Sequence, residues 1–338
     1  MITKRFKTVS QVDNKGMSID LKNLNFYKTG GTCASVYSPS DYQELIKCYV
    51  DINQNSMPYF VIGGGSNLII GDDRWDGAVI TLDKLKNFEK KDDHTIICDA
   101  GVSNSTLVSY CYRNSFSSTS WMHGLPGNIG GSIRMNSRCY GGEISKIVKT
   151  VTSVDAAGNI IDRNAEEVFK GYKKSIFSAN KEIIIKAEIT LKKGDPKAIK
   201  DHMDFCMKDR VTAEQFKWPN CGCVFKNDET LGISAGLMLD FVGTKNLKHN
   251  NAEVSPYHAN FIFNKGCCTR DILELSFKMR DMVYKSLGVW LEYEVVLYGN
   301  YADDLRSSYY EKRTANYNHE LLEELKKCAI QKPNHYPL

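Results

Sequence analysis

Two glycine-rich turns about sixty residues apart, Gly63-Gly64-Gly65-Ser66-Asn67 and Gly124-Leu125-Pro126-Gly127-Asn128-Ile129-Gly130-Gly131-Ser132, hold the residues of this chain best suited to gripping a ligand. Consecutive residues without side chains turn their N–H groups toward one anion, and two such runs suit a large diphosphate. Ser66, Asn67, Asn128, Ser132 and Asn136 add polar groups that a bare turn does not need. The candidate contacts are therefore Gly63, Gly64, Gly65, Ser66, Asn67, Gly124, Pro126, Gly127, Asn128, Gly130, Gly131, Ser132 and Asn136.

The elements around the first turn say what kind of grip it is. Tyr59-Phe60-Val61-Ile62 before it and Leu68-Ile69-Ile70 after it both read as short apolar strands. A dinucleotide turn of the G-x-G-x-x-G kind would lead into a helix, so that fold is disfavoured, and no G-x-x-x-x-G-K-[ST] run occurs. Upstream, Ser38 and Ser40 are expected to cap a helix carrying Tyr42, Leu45, Ile46 and Tyr49. Strands are expected at 78–82, 94–98, 148–154 and 182–191, with a helix over 103–112, an irregular order that indicates α+β. Gly194-Asp195-Pro196 marks a domain boundary before a helix whose stripe is Ile199, Met203, Cys206 and Met207. Thr269 is expected to cap a further helix, with Ile272, Leu275, Met279, Met282 and Val283 on one face and Gly288 at its end.

With 338 residues the chain is long enough for two or three lobes. Its formal net charge of +4 is spread along the whole length, which gives no stripe to follow a nucleic-acid backbone. No apolar run reaches membrane-spanning length and the first residues lack the apolar core of a signal peptide, so the expected location is the cytosol. Eleven cysteines without C-x-x-C pairs fit reduced thiols. Cys267-Cys268 and Cys221-Gly222-Cys223 lack a second correctly spaced pair, and no metal site is expected.

Six motifs in order carry a family resemblance: GGGSNL, GLPGNIGGSIRMNSRCYGGEI, YKKSIF at 172–177, GCVFKN at 222–227, HANFIFN at 258–264 and LEYEVVLYG at 291–299. Together they resemble the UDP-N-acetylenolpyruvoylglucosamine reductases (UDP-N-acetylmuramate dehydrogenases), flavoenzymes of peptidoglycan precursor synthesis, and hence of cell wall, shape and division. The resemblance implies a non-covalently bound FAD in a fold of the vanillyl-alcohol oxidase type. Two lobes, at about 1–83 and 84–195, would hold the flavin, and an α+β substrate-binding domain would span 196–290. A strand at 291–300 would return to the flavin side, and 301–338 would form a C-terminal tail with a short helix near Glu320 to Leu325. It further implies NADPH as reductant, a UDP-sugar as substrate and a monomer. The spacing of 50 residues from Lys173 to Cys223 resembles the shorter family subtype, which has no tyrosine-bearing loop over the substrate.

Three catalytic positions follow from the resemblance. Cys223 stands where the family has a serine that protonates the substrate, and a thiol is the stronger acid at the expense of oxidation sensitivity. Lys173 replaces the arginine of a YRxSxF motif and keeps the charge while losing the two-pronged grip on a carboxylate. In the closing strand, alternation puts Glu292 and Glu294 on one face and leaves both open. The family motif places the catalytic carboxylate at Glu294, with Glu292 at the surface. Tyr172, Lys226, Asn227 and Glu253 are the implied substrate contacts, and His258 reads as a hydrogen-bonded core residue. Asn250-Asn251 replaces a usual Gly-Gly pair. Two alternatives stand beside this reading: a flavin oxidoreductase of the same fold acting on another sugar or organic acid, and a non-catalytic nucleotide-binding relative.

Overall fold

The computed structural model describes residues 19–331. Its first sheet runs in the order Ile19–Asp20, Thr32–Tyr37, Trp75–Thr81, Tyr59–Ile62. Trp75–Thr81 pairs parallel with both neighbours, and every residue from Gly77 to Thr81 is buried, as expected of a parallel strand covered on both faces. The helix Tyr42–Gln54 packs Leu45, Cys48, Tyr49 and Ile52 inward. Its cap is neither predicted serine. Asp41 accepts from Glu44 N at 2.8 Å while the Glu44 carboxylate reaches back to Ser40, a reciprocal arrangement that serine alone does not complete.

A second, antiparallel sheet runs Ile160–Asn164, Val148–Val154, Ile183–Thr190, Thr95–Asp99, Phe88–Asp92. Against it lie the helix Asn104–Arg113, capped by Ser103, and the short helix Ile129–Arg134. The helix Pro196–Thr212 starts at the Asp195 cap with Pro196 in its first turn. It buries Ile199 and Met203 in the same core as the second sheet, so by packing it stays with the first part of the chain.

A separate core gathers the helices Ala235–Phe241 and Thr269–Leu287 with a sheet of Lys248–His249, Ala252–Val254 and Ile262–Asn264. Cys268, rather than Thr269, is the cap of the long helix, in a box with Asp271, while Thr269 is buried and donates to Ile70 O at 2.6 Å. Gly288 ends it at φ 69. The replaced glycine pair is accommodated: Asn250 adopts φ 49 and its amide donates to Asp271 at 2.6 Å.

Val296–Tyr298, whose Leu297 remains in this core, pairs parallel with Leu68–Ile70, in the register Val296 to Leu68 and Tyr298 to Ile70. The two strands flanking the first glycine turn therefore belong to different sheets, and the turn sits at the junction. The chain then continues through helices Asp303–Tyr310 and His319–Gln331, which bury Leu305, Leu322 and Leu325 in the second core.

Candidate active site

The first glycine turn lines a cleft of 620 Å³ between the two cores. Among the described residues, the amides of Gly64, Gly65, Ser66 and Asn67 donate to no protein acceptor, while the Gly65 carbonyl accepts from Phe26. A row of unspent donors along a cleft wall is an anion cradle. Side chains have no place in it: a Cβ on Gly64 would lie 2.5 Å from Gly127 Cα, and one on Gly65, at φ +68, would lie 2.2 Å from Leu24 O.

The second turn differs from the expectation of a matching cradle. The amides of Ile129, Gly130, Gly131 and Ser132 are already spent, on Val102 O, Ala100 O, Asn128 Oδ1 and Asn128 O respectively. Gly127 and Asn128 instead pack directly against Gly64 and Gly63, so that the two turns abut. Pro126, Gly127, Asn128, Gly131 and Ser132 line the cleft. Gly124 and Gly130 do not. Gly124 makes a turn at φ +76 against Arg210, and Gly130 is packed on Ala100, its own wall space opening on an adjoining cavity of 540 Å³. That cavity shares Val61, Gly63, Asn128, Gly131, Arg134 and Tyr298 with the cleft.

Asn136 is also off the wall. It is buried at φ 43, and its amide donates to Glu143 at 2.9 Å and Gly171 O at 3.0 Å. It thereby holds the loop that carries Tyr172 and Lys173. Ser175 secures the other end of that loop, donating to Arg134 O at 2.6 Å. Lys173 sits at φ 53, a left-handed conformation that costs a residue with a Cβ roughly 1–2 kcal/mol, and its side chain turns into the cleft.

There Lys173 Nζ donates to Glu294 Oε1 at 2.5 Å, with both side chains nearly out of solvent. Burial opposes the ammonium form, but the Glu294 carboxylate outweighs it and holds the lysine above its ordinary pKa. Glu294 is placed by its backbone. Its N–H donates to Val224 O at 2.8 Å, and its carbonyl accepts from the Asn67 amide at 3.0 Å, which ties the strand to the glycine turn. The predicted alternation holds, since Leu291, Val295 and Leu297 are buried whereas Glu292 is exposed and pairs with Lys226 at 3.6 Å.

Cys223 borders the same cleft, on a segment held by Asn260: Val224 N donates to Asn260 O, Phe225 N to Asn260 Oδ1, and Asn260 Nδ2 to Phe225 O. Burial pushes its thiol up to about 12, with the Glu294 carboxylate adding to the effect. The thiol is therefore a weaker acid than a free cysteine and stays protonated. Because oxidants attack the thiolate, the expected oxidation sensitivity does not follow from this environment.

Of the other implied substrate contacts, Tyr172 and Asn227 line the cleft, though Asn227 also accepts from Ala235 N at 2.9 Å as a helix support. Lys226 faces Glu292, and Glu253 is held by Lys265 at 2.9 Å and Lys248 at 3.2 Å; neither reaches the cleft wall. His258 lines the cleft, stacked on Phe261 at 4.1 Å, and burial followed by the charge of Lys245 lowers its pKa to about 4.

Arg210 is the main residue the sequence did not reveal. It continues the buried stripe of the Pro196–Thr212 helix, three and four positions beyond Met207 and Cys206, and periodicity alone reads such a position as packing. Its guanidinium lies 3.4 Å from Cys139 Sγ, donates to His123 O at 3.1 Å and faces the Tyr140 ring at 5.0 Å. Arg210 thus joins Lys173, Arg134 and Arg138 among the cations that border the cleft. Phe216 and Trp218 form part of its rim.

Comparison with known proteins places both parts of the chain among known families. Residues 33–164 match the model of an FAD binding domain, and residues 214–298 match that of the UDP-N-acetylenolpyruvoylglucosamine reductase C-terminal domain. A UDP-N-acetylenolpyruvoylglucosamine reductase of Clostridium novyi is 31% identical over 305 residues, covering 90% of this chain and 98% of the relative. One from Clostridioides difficile is 33% identical, over 82% of this chain and 91% of the relative. The crystal structure of the Thermus caldophilus reductase superposes with a TM-score of 0.71 at 28% identity, covering 83% of this chain and 98% of that one.

Proposed function

The chain belongs to the UDP-N-acetylenolpyruvoylglucosamine reductase family, and from that premise we propose that it reduces UDP-N-acetylglucosamine enolpyruvate to UDP-N-acetylmuramate, with FAD as cofactor and NADPH as reductant. The observation that carries the reading is the convergence of Lys173, Glu294 and a protonated Cys223 on the cleft that the Gly64–Asn67 amides line. The residues present fit FAD. The unspent amides of the first turn suit its pyrophosphate, and the cavity of 540 Å³ beyond Gly63 suits one end of a dinucleotide.

When bound, FAD supplies the hydride that adds to the terminal carbon of the enolpyruvyl double bond. The chain's own groups then account for the rest. Negative charge arriving in the substrate carboxylate meets Lys173, with Arg210, also on the cleft, adding positive potential. Cys223 holds a proton at Sγ and delivers it to the adjacent carbon, completing addition of hydride and proton across the double bond. Protonating a carbanion-like centre remains downhill for a thiol with a pKa near 12. Glu294 holds Lys173 in position, and burial, with the Glu294 carboxylate adding to it, keeps Cys223 protonated between turnovers. No described helix is long and apolar enough to cross a membrane, in keeping with a cytoplasmic enzyme on a nucleotide-linked precursor.

The test is anaerobic. Protein loaded with FAD is bleached with NADPH, and the enolpyruvyl UDP-sugar is added. Reoxidation with formation of the lactyl ether supports the reading. A flavin that is reduced but not reoxidised by this substrate favours the same-fold alternative, for which Lys173 in place of arginine is the specific motive.

A further inference from the structure

We propose that the C-terminal extension beyond the family match, through the helix Asp303–Tyr310, positions the Glu294 carboxylate by gripping the back of the extended segment that carries it into the strand Val296–Tyr298, with Tyr309 as the positioning residue. The proposal rests on Glu294 having the role given above. The family match ends at residue 298, yet the extension is closely fitted to the segment just before that point. The Tyr309 ring stacks on Tyr293 with centroids 4.3 Å apart and planes 15° from parallel. Its hydroxyl donates to Val295 O at 2.6 Å. Tyr293 and Val295 are the residues on either side of Glu294, and alternation turns them away from the cleft as it turns Glu294 in.

The front of the segment is set by Val224 O and the Asn67 amide, and the back by Tyr309. Tyr301 adds a second anchor, donating to Ile69 O at 2.6 Å on the strand paired with Val296–Tyr298. Arg280 fixes the extension from below: buried, it lies over Trp290 at 4.0 Å and Tyr293 at 4.8 Å while donating to the carbonyls of Ser308 and Tyr309. A cover for apolar side chains would need Leu305, Leu322 and Leu325 alone. It would not need a hydroxyl aimed at the peptide that follows the reacting carboxylate.

The experiment uses the full chain with Tyr309→Leu, which removes stack and hydroxyl, and Tyr309→Phe, which keeps the stack. Three quantities are measured: flavin reduction by NADPH, reoxidation by the enolpyruvyl UDP-sugar, and, without substrate, the pH midpoint of Cys223 alkylation by iodoacetamide, followed by mass spectrometry of its peptide. Tyr309→Leu is expected to slow reoxidation about tenfold or more and leave reduction within about twofold, because small displacements of a reacting group are expensive. The Cys223 midpoint should fall, since the Glu294 carboxylate that helps hold the proton is no longer fixed beside it. Tyr309→Phe should lie between, and it carries the same readouts should the leucine variant not fold. An unmoved Cys223 midpoint in a folded Tyr309 variant overturns the proposal, whatever the melting temperature does. If the unaltered protein is not reoxidised, the reductase reading fails separately, and the alkylation midpoint still decides the role of Tyr309.

Discussion

The two sides of the cleft are built in opposite ways. On the flavin side the working groups are backbone amides from Gly64 to Asn67, in a turn where a Cβ on Gly64 would fall 2.5 Å from Gly127 Cα. On the substrate side they are side chains, Lys173, Cys223 and Glu294, projecting from a loop and two extended segments. The first side leaves no room for substitution because its function is shape. In the second, Lys173 and Cys223 stand where the family resemblance implies an arginine and a serine, and under the proposed mechanism charge and a transferable proton survive those exchanges.

The sharpest way to break the contrast is Gly64→Val. The added atoms must displace the Gly127 backbone, and flavin affinity should fall by about 100-fold or more, read as absorbance near 450 nm per protein after gel filtration. Retention of stoichiometric flavin would show that the turn is not a steric template. Next comes Glu294→Gln, similar in size but uncharged. It leaves the buried Lys173 ammonium without its partner, a loss worth about 3–5 kcal/mol for such pairs, and reoxidation should slow roughly 10²- to 10³-fold while flavin content is unchanged.

Lys173→Arg sharpens the comparison from the tolerant side. Charge is conserved, so reoxidation should stay within about tenfold of the parent, with the change appearing in the substrate KM. A complete loss would mean that the loop at φ 53 is shaped for lysine alone. The smallest effect concerns His258. Its pKa of about 4 lies below the unfolded value near 6.5, so the folded state binds fewer protons. Stability should decline as pH falls from about 6.5 toward 4 and level off below, and His258→Phe should flatten that slope in denaturant titrations.

What could be read from the sequence follows the same division. The Gly63–Asn67 turn was legible because glycine and strand signals report backbone directly, whereas alternation left Glu292 and Glu294 both open and only the family motif chose Glu294. The strands Phe88–Asp92 and Ile160–Asn164 were not legible, since both are edges rich in charged residues that lack an apolar rhythm. Arg210 was hidden by position, as a polar residue continuing an apolar stripe. The second turn had the composition of a cradle, but whether an amide is free depends on partners such as Ala100 O and Val102 O far along the chain. The tail's helix was legible as an amphipathic run near Glu320 to Leu325, whereas the core that receives its Leu322 and Leu325 was not.

The central claim is that a protonated thiol at Cys223 completes the reaction. Stopped-flow reoxidation of NADPH-reduced Cys223→Ala and Cys223→Ser tests it most directly. Alanine should slow reoxidation by about 10³-fold or more with flavin reduction unchanged, and serine, which restores a proton donor, should recover most of that loss. Reoxidation of the alanine variant at the parent rate would contradict the account.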